Sequence, residues 1–175
     1  NFRFLFSSEK IVSITVNTLY LNAVFIAAEV IFAVMTAVLL NEIRGGLFKR
    51  VSQTLVFLPY FISWVVVSVF AYNLFSSESG FLNTLLKSMG AQPVGWYERA
   101  DLWPFILVMA KIWKYAGYEA IIYLVAITSI NPEYYEAIAL DGGTKLQEIR
   151  YITIPMIMPT VTVMVLLAVG RIFFA

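Results

Sequence analysis

The chain has 175 residues, 61% of them hydrophobic and 13% charged, with a mean hydropathy of +0.82 and a net charge of +1. A soluble domain is nearer half apolar and a quarter charged, so this is an integral membrane protein, and no basic stripe suggests nucleic acid. The absence of Cys and His excludes disulfides, Cys/His metal sites and imidazole catalysis within this chain.

In chain order, Phe2, Phe4, Phe6 and then Ser7-Ser8-Glu9-Lys10 read as an interfacial lead-in. The first apolar run, about Ile11–Leu40, is long enough to cross a bilayer with tilt, since about 20 residues suffice. It closes in Asn41-Glu42-Ile43-Arg44-Gly45-Gly46. There Arg44 suits the negative helix end and the glycines terminate it. A connection over 41–53 carries Arg44, Lys49 and Arg50, and a second span is expected at about Thr54–Phe75, with Pro59 near its start. Residues 76–101 are polar. Within them Phe81, Leu82, Leu85, Leu86 and Met89 recur at helical spacing, which predicts a short amphipathic helix on the membrane surface. The third run, Leu102–Ile130, holds Lys111, Lys114 and Glu119. A span at Ile112–Ile130 leaves Lys111 and Lys114 to snorkel at the outer interface beside Trp103 and Trp113. A fourth span starts near Pro155 and runs to Ala175. The chain starts at Asn1 rather than Met and stops inside an apolar run, so residues 1–175 are expected to be a fragment of a single transmembrane domain. The bias of Lys and Arg toward 41–53 and 131–154 places those connections in the cytoplasm and 76–101 outside.

Residues 131–155 form a polar island between two apolar runs. Asn131 is a good N-cap, with Pro132 at the first helical position and Glu133 in the first turn. Gly142-Gly143 stop that helix. Thr144 starts another, with Gln147 completing a capping box. Pro155 is expected to end the second helix or kink it into the next span. The product is a helix, a glycine elbow and a helix, kept out of lipid by Glu133, Glu136, Asp141, Lys145, Glu148 and Arg150, its surface left small by Ala137 and Ala139. Local physics leaves two readings open, a docking elbow and an ordinary connection.

The spacing of this island resembles the "EAA" loop of binding-protein-dependent ABC importer permeases. That pattern is Glu-Ala-Ala, three residues, Gly, nine residues, then Ile-x-Leu-Pro. Here Glu136-Ala137, Gly142 and Ile152-Thr153-Ile154-Pro155 satisfy it, with Ile138 and Ile154 as apolar departures. Asn17-Thr18-Leu19, Leu39-Leu40-Asn41, Gln53-Thr54, Leu58-Pro59 and Ile62-Ser63-Trp64-Val65 also look like the maltose-type sugar permeases. So do Ile112-Trp113-Lys114, Ile121-Ile122-Tyr123-Leu124 and the run Ile127–Pro132. The likeness is greatest to the subgroup for polysaccharide and aldouronate uptake.

The resemblance implies an all-α, polytopic helical bundle of the type I importer kind, with about four spans here and about six in a whole subunit. It implies a multi-pass protein of the bacterial plasma membrane, acting as the permease for an oligosaccharide and not as an enzyme. Its partners are then a second permease subunit, two ATPase subunits and an extracytoplasmic solute-binding protein. ATP is bound by the ATPases, so no cofactor is expected on this chain. Glu136, Ala137, Asp141, Gly142, Ile152 and Pro155 are the expected ATPase-coupling residues. Charges within spans are candidates for function, and Arg171, Gly170 and Glu29 are grouped as candidates for the substrate path. Arg171 lies about 24 Å of helix beyond Pro155, which suits either the cavity or the outer interface. Glu29 suits a polar partner in the bundle better than substrate. Asn22 and Asn73 read as helix–helix hydrogen-bonding residues. The same architecture for a non-sugar solute is one rival; a secondary transporter is another, for which only Glu29 and Arg171 are deep enough to couple an ion.

Overall fold

The structure is a computed structural model that describes residues 9–172. Its elements are α1 (Glu9–Glu42), α2 (Gly46–Phe57), a 3-10 turn (Leu58–Phe61), α3 (Trp64–Phe75), α4 (Phe81–Ser88), α5 (Trp103–Thr128), α6 (Pro132–Leu140), α7 (Lys145–Glu148), a π-helical turn (Ile149–Thr153) and α8 (Ile154–Gly170). No strand occurs among the described residues. The lead-in at Phe2, Phe4, Phe6 and Ser7-Ser8, and the last three residues of the fourth run, lie outside them.

The core forms where α1 meets α5. Ala33, Ala37 and Leu40 pack against Ile112, Ala116, Ala120, Tyr123, Leu124 and Ile127, and α8 adds Ile157 and Val161. Four alanines at this seam let the two backbones approach closely, which is how helices associate where apolar surface alone gives no advantage over lipid. Asn22 and Asn73 do not bridge helices. Each side chain donates to the carbonyl four residues back on its own helix, Thr18 at 2.9 Å and Val69 at 2.8 Å.

The second span is not a single helix from Thr54. Most of the expected connection is already helical, because α2 begins at Gly46, right after Gly45 turns the chain with φ +104°. Pro59 then sits in the 3-10 turn, and the chain bends by 95° before α3. Ser63 restarts the helix as an N-cap, its hydroxyl accepting the Val66 N–H at 3.3 Å. A proline followed four residues later by a capping serine is a stop-and-restart signal, and the apolar run around it masked that signal.

The two lysines of the third run do not snorkel. Lys114 is 5% exposed, and its Nζ donates to the carbonyls of Tyr60 and Ile62. Lys111 lies 3.7 Å from Glu29 and 4.6 Å from the centre of the Phe25 ring. Both ammonium groups find partners inside the bundle, which removes the reason for their stems to reach outward.

The short helix in 76–101 is present as α4, with an unexpected inner face. Asn83, only 1% exposed, donates to the carbonyls of Val94 at 2.8 Å, Ser77 at 3.3 Å and Ser76 at 3.4 Å. It also accepts the Val94 N–H at 2.9 Å and the Trp96 indole N–H at 3.1 Å. Leu82 and Leu86 turn inward with it, while Phe81, Leu85 and Met89 are exposed. One amide thus closes the loop from Ser76 to Trp96.

Among the described residues, length and apolarity qualify two helical stretches to cross a membrane, Lys10–Glu42 and the continuous Lys145–Gly170, or three if the bent pair is one span. The third expected span, α5, has 26 residues but carries Lys111, Lys114 and Glu119 along its middle, so its composition does not qualify it.

Candidate functional site

The polar island folds as its local chemistry requires. Asn131 accepts the Glu133 N–H at 3.1 Å and Pro132 occupies the first turn of α6. The exit is a Schellman arrangement: the Gly143 N–H reaches Ile138 O at 2.9 Å and the Gly142 N–H reaches Ala139 O at 3.1 Å. Gly142 has φ +73°, a conformation that opposes a side chain, whereas Gly143 is held by closeness, since a Cβ there would sit 2.6 Å from Ile138 Cγ1. Thr144 then opens α7 with the full capping box. Its N–H donates to Gln147 Oε1 at 2.7 Å, and its hydroxyl accepts the Gln147 N–H at 3.4 Å.

Pro155 neither ends the second helix nor breaks it. A proline has no N–H and its ring crowds the carbonyl four residues back, here Tyr151. The π-helical turn Ile149–Thr153 widens the register just before it, with the Ile154 N–H bonded to Ile149 O. The helix therefore continues into α8. Two ties fix the elbow to the bundle: Lys145 Nζ lies 3.3 Å from Glu42 at the end of α1, and Tyr135 OH lies 3.3 Å from Thr153 Oγ1.

The expected coupling residues sort into two groups. Glu136, Ala137, Asp141 and Gly142 are exposed on the elbow, and Leu140 and Leu146 beside them are 89% and 74% exposed. Ile152 is half-buried against the core and Pro155 lies exposed at the start of α8. The first group gives a small, partly apolar knob, and Ile152 roots it in the core.

Glu29 is 6% exposed and has a polar partner in Lys111. Arg171 caps the far end of α8, exposed, with Gly170 before it. No direct contact joins Arg171 to Glu29 among the described residues. Sequence reasoning missed a polar patch around Glu29: Glu29 Oε1, Glu119 Oε2 and Tyr123 OH are all buried without a hydrogen-bond partner among the described residues. Glu119 on the same helix as Lys111, eight residues on, was the available signal.

The sequence profile of the family described as binding-protein-dependent transport system inner membrane component matches residues 29–175. The chain is 35% identical over 154 residues to the polygalacturonan/rhamnogalacturonan transport system permease protein YteP of Bacillus subtilis (strain 168), covering 88% of this chain and 48% of that protein. It is 30% identical over 150 residues to the lactose transport system permease protein LacF of Rhizobium radiobacter, covering 83% and 49%. The crystal structure of a bacterial alginate ABC transporter in complex with alginate pentasaccharide-bound periplasmic protein contains a chain that superposes with a TM-score of 0.92 at 34% identity, over 98% of this chain and 59% of that one. The described helices therefore have the all-α fold of a type I importer permease. The chain spans about half the length of the curated relatives it matches.

Proposed function

The chain belongs to the binding-protein-dependent transport system inner membrane components, and from that premise we propose that its whole subunit forms part of the translocation path of an ATP-driven bacterial importer for oligosaccharides. It is a membrane protein; the reading makes it multi-pass in the bacterial plasma membrane, with the elbow in the cytoplasm. A second permease subunit completes the path. Two ATPase subunits each receive an elbow, and an external binding protein delivers the sugar. ATP is bound and hydrolysed on those partners, so this chain needs no cofactor and performs no catalysis.

The observation that carries the reading is the exposed, doubly capped elbow. A knob with fixed caps, a small surface and two roots into the bundle transmits a partner's closure as a rigid displacement. A flexible connection would absorb it. Alternating access then follows from elbow contacts that differ between two states.

Gly142→Asp places a side chain at positive φ on the docking surface, and Glu136→Lys reverses a charge there. Each should leave the subunit inserted, reduce ATPase co-purification and abolish uptake. Normal uptake with the ATPase retained in both would make the elbow a mere connection. An introduced cysteine at position 145 that reacts with an impermeant thiol reagent in intact cells would put the elbow outside and remove the reading altogether.

Arg171, with Gly170 before it and Glu29 in the bundle, marks the proposed substrate path. Relatives named for polygalacturonan and alginate support an acidic cargo. A guanidinium binds a carboxylate through two parallel hydrogen bonds. Arg171→Gln should then lower uptake of an acidic oligosaccharide about tenfold while sparing a neutral one, at about the strength of one charge-assisted hydrogen bond. Equal uptake of both by the two proteins would place Arg171 outside the path.

A further inference from the structure

Transport leaves unexplained a buried cation that has no carboxylate. Lys114 is 5% exposed and forms no ion pair among the described residues. An ammonium in such a place is costly unless its donors are satisfied. Its Nζ donates to Tyr60 O at 3.0 Å and to Ile62 O. It also lies 5.6 Å and 5.4 Å from the ring centres of Trp64 and Tyr115, within cation–π range.

Both carbonyls belong to the break between the 3-10 turn and α3. A helix that stops leaves its last carbonyls without partners, and a hydrocarbon surround offers none. Ser63 serves the donors on the α3 side. Lys114 serves the acceptors on the other side, and its charge meets the negative pole of the ending helix. Tyr115, next in sequence, accepts the Trp64 indole N–H at 3.2 Å. Three residues beyond Lys114, Gly117 lies against the Val56 carbonyl. Thus α5 grips the break on both flanks, and α5 leads through Ser129–Asn131 straight into the elbow helix α6.

We infer that Lys114 is a positioning residue that locks the broken α2–α3 pair to the helix bearing the elbow, so that displacement of the elbow carries the break with it. The consequence for transport rests on the importer reading above; the lock itself does not.

The chain has no cysteine, so spin labels can be placed at Leu55 and Val66, which flank the break and are 63% and 45% exposed. In the full subunit assembled with its partners, the inter-label distance distribution should be narrow with native Lys114. It should broaden with Lys114→Met and narrow again with Lys114→Arg, which keeps charge and donors. In proteoliposomes, uptake per ATP hydrolysed should fall about tenfold in Lys114→Met, the scale of orphaned buried acceptors, and recover at least in part in Lys114→Arg. A residue that only aids folding would lower uptake and hydrolysis together and leave their ratio alone. A native distance distribution in Lys114→Met overturns the lock. An unchanged ratio despite a broadened distribution overturns its role in coupling. If the Met variant fails to assemble, the Arg variant decides, and a broad distribution there overturns the donor argument. Native protein that shows no ATP-dependent uptake overturns the importer reading while leaving the distance measurement standing.

Discussion

The elbow at 131–155 and the break at 58–63 are both places where one helix stops and another begins, yet they are satisfied in opposite ways. The capping hydrogen bonds of the elbow turn each span five residues or fewer: Asn131 to Glu133, Gly143 to Ile138, Thr144 to Gln147. The break is closed from one side by Ser63, three residues from its partner, and from the other by Lys114, 52 and 54 residues from its partners. The first kind of junction can stand away from the bundle, where water serves whatever the caps leave over. The second kind cannot, because its acceptors are served by another helix. Exposure follows the same division: Leu140 at the tip of the elbow is 89% exposed, and Lys114 at the break 5%.

The sharpest way to break this contrast is at Gly117. A Cβ there would land on the Val56 carbonyl oxygen, 2.7 Å from its carbon and 3.0 Å from Val56 Cγ1. The obstacle is backbone, which a rotamer change cannot relieve. Gly117→Ala should therefore push α2 off α5 and cost about 3 kcal/mol or more, the upper range for overpacking. At Gly46, the first residue of α2, nothing lies within 4 Å of the corresponding Cβ, so Gly46→Ala should be neutral or slightly stabilising. Thermal unfolding of the detergent-solubilised subunit, followed by size-exclusion chromatography, would compare them. Equal midpoints for the two variants would mean that the α2–α5 contact is not tight and that the break is not held from α5.

The same contrast explains what could be read from the chain beforehand. The elbow was legible because caps are written next to the residues they cap: Asn131-Pro132, Gly142-Gly143 and Thr144 with Gln147 all fold as their chemistry requires. The break was not legible, because Pro59 and Ser63 sit in a run apolar enough to pass for one span, and their third partner is on another helix. Lys111 and Lys114 were misplaced for a related reason. Snorkelling is the default for a lysine considered alone, whereas here Glu29 and the carbonyls of Tyr60 and Ile62 come from α1 and the broken pair. The π-helical turn before Pro155 escaped because a proline announces a conflict with the carbonyl four residues back without saying whether the chain will kink or widen. Asn83 escaped because its five hydrogen bonds go to four residues spread from Ser76 to Trp96.

The smallest expected effect tests whether the elbow is as self-contained as its short-range bonds suggest. Lys145 is its one charged tie to the bundle among the described residues: Nζ lies 2.5 Å from Glu148 on its own helix and 3.3 Å from Glu42 on α1. The hydrogen bond it donates to Glu148 above all, then that to Glu42, raises the lysine's pKa above its ordinary 10.5. A raised folded pKa means that the pair's contribution is fully present below pH 10.5 and is lost as pH climbs through the raised value. The side chain is 56% exposed, so solvent screening holds that contribution to about 0.5 kcal/mol or less. Lys145→Met should shift the global unfolding midpoint barely at all. It should also make amide exchange at 142–148 slightly faster, and the difference from native protein should shrink in high salt. A large, salt-independent loss of stability would show that the elbow leans on α1 for its shape, and the division between a locally written junction and a distantly held one would then fail at its first member.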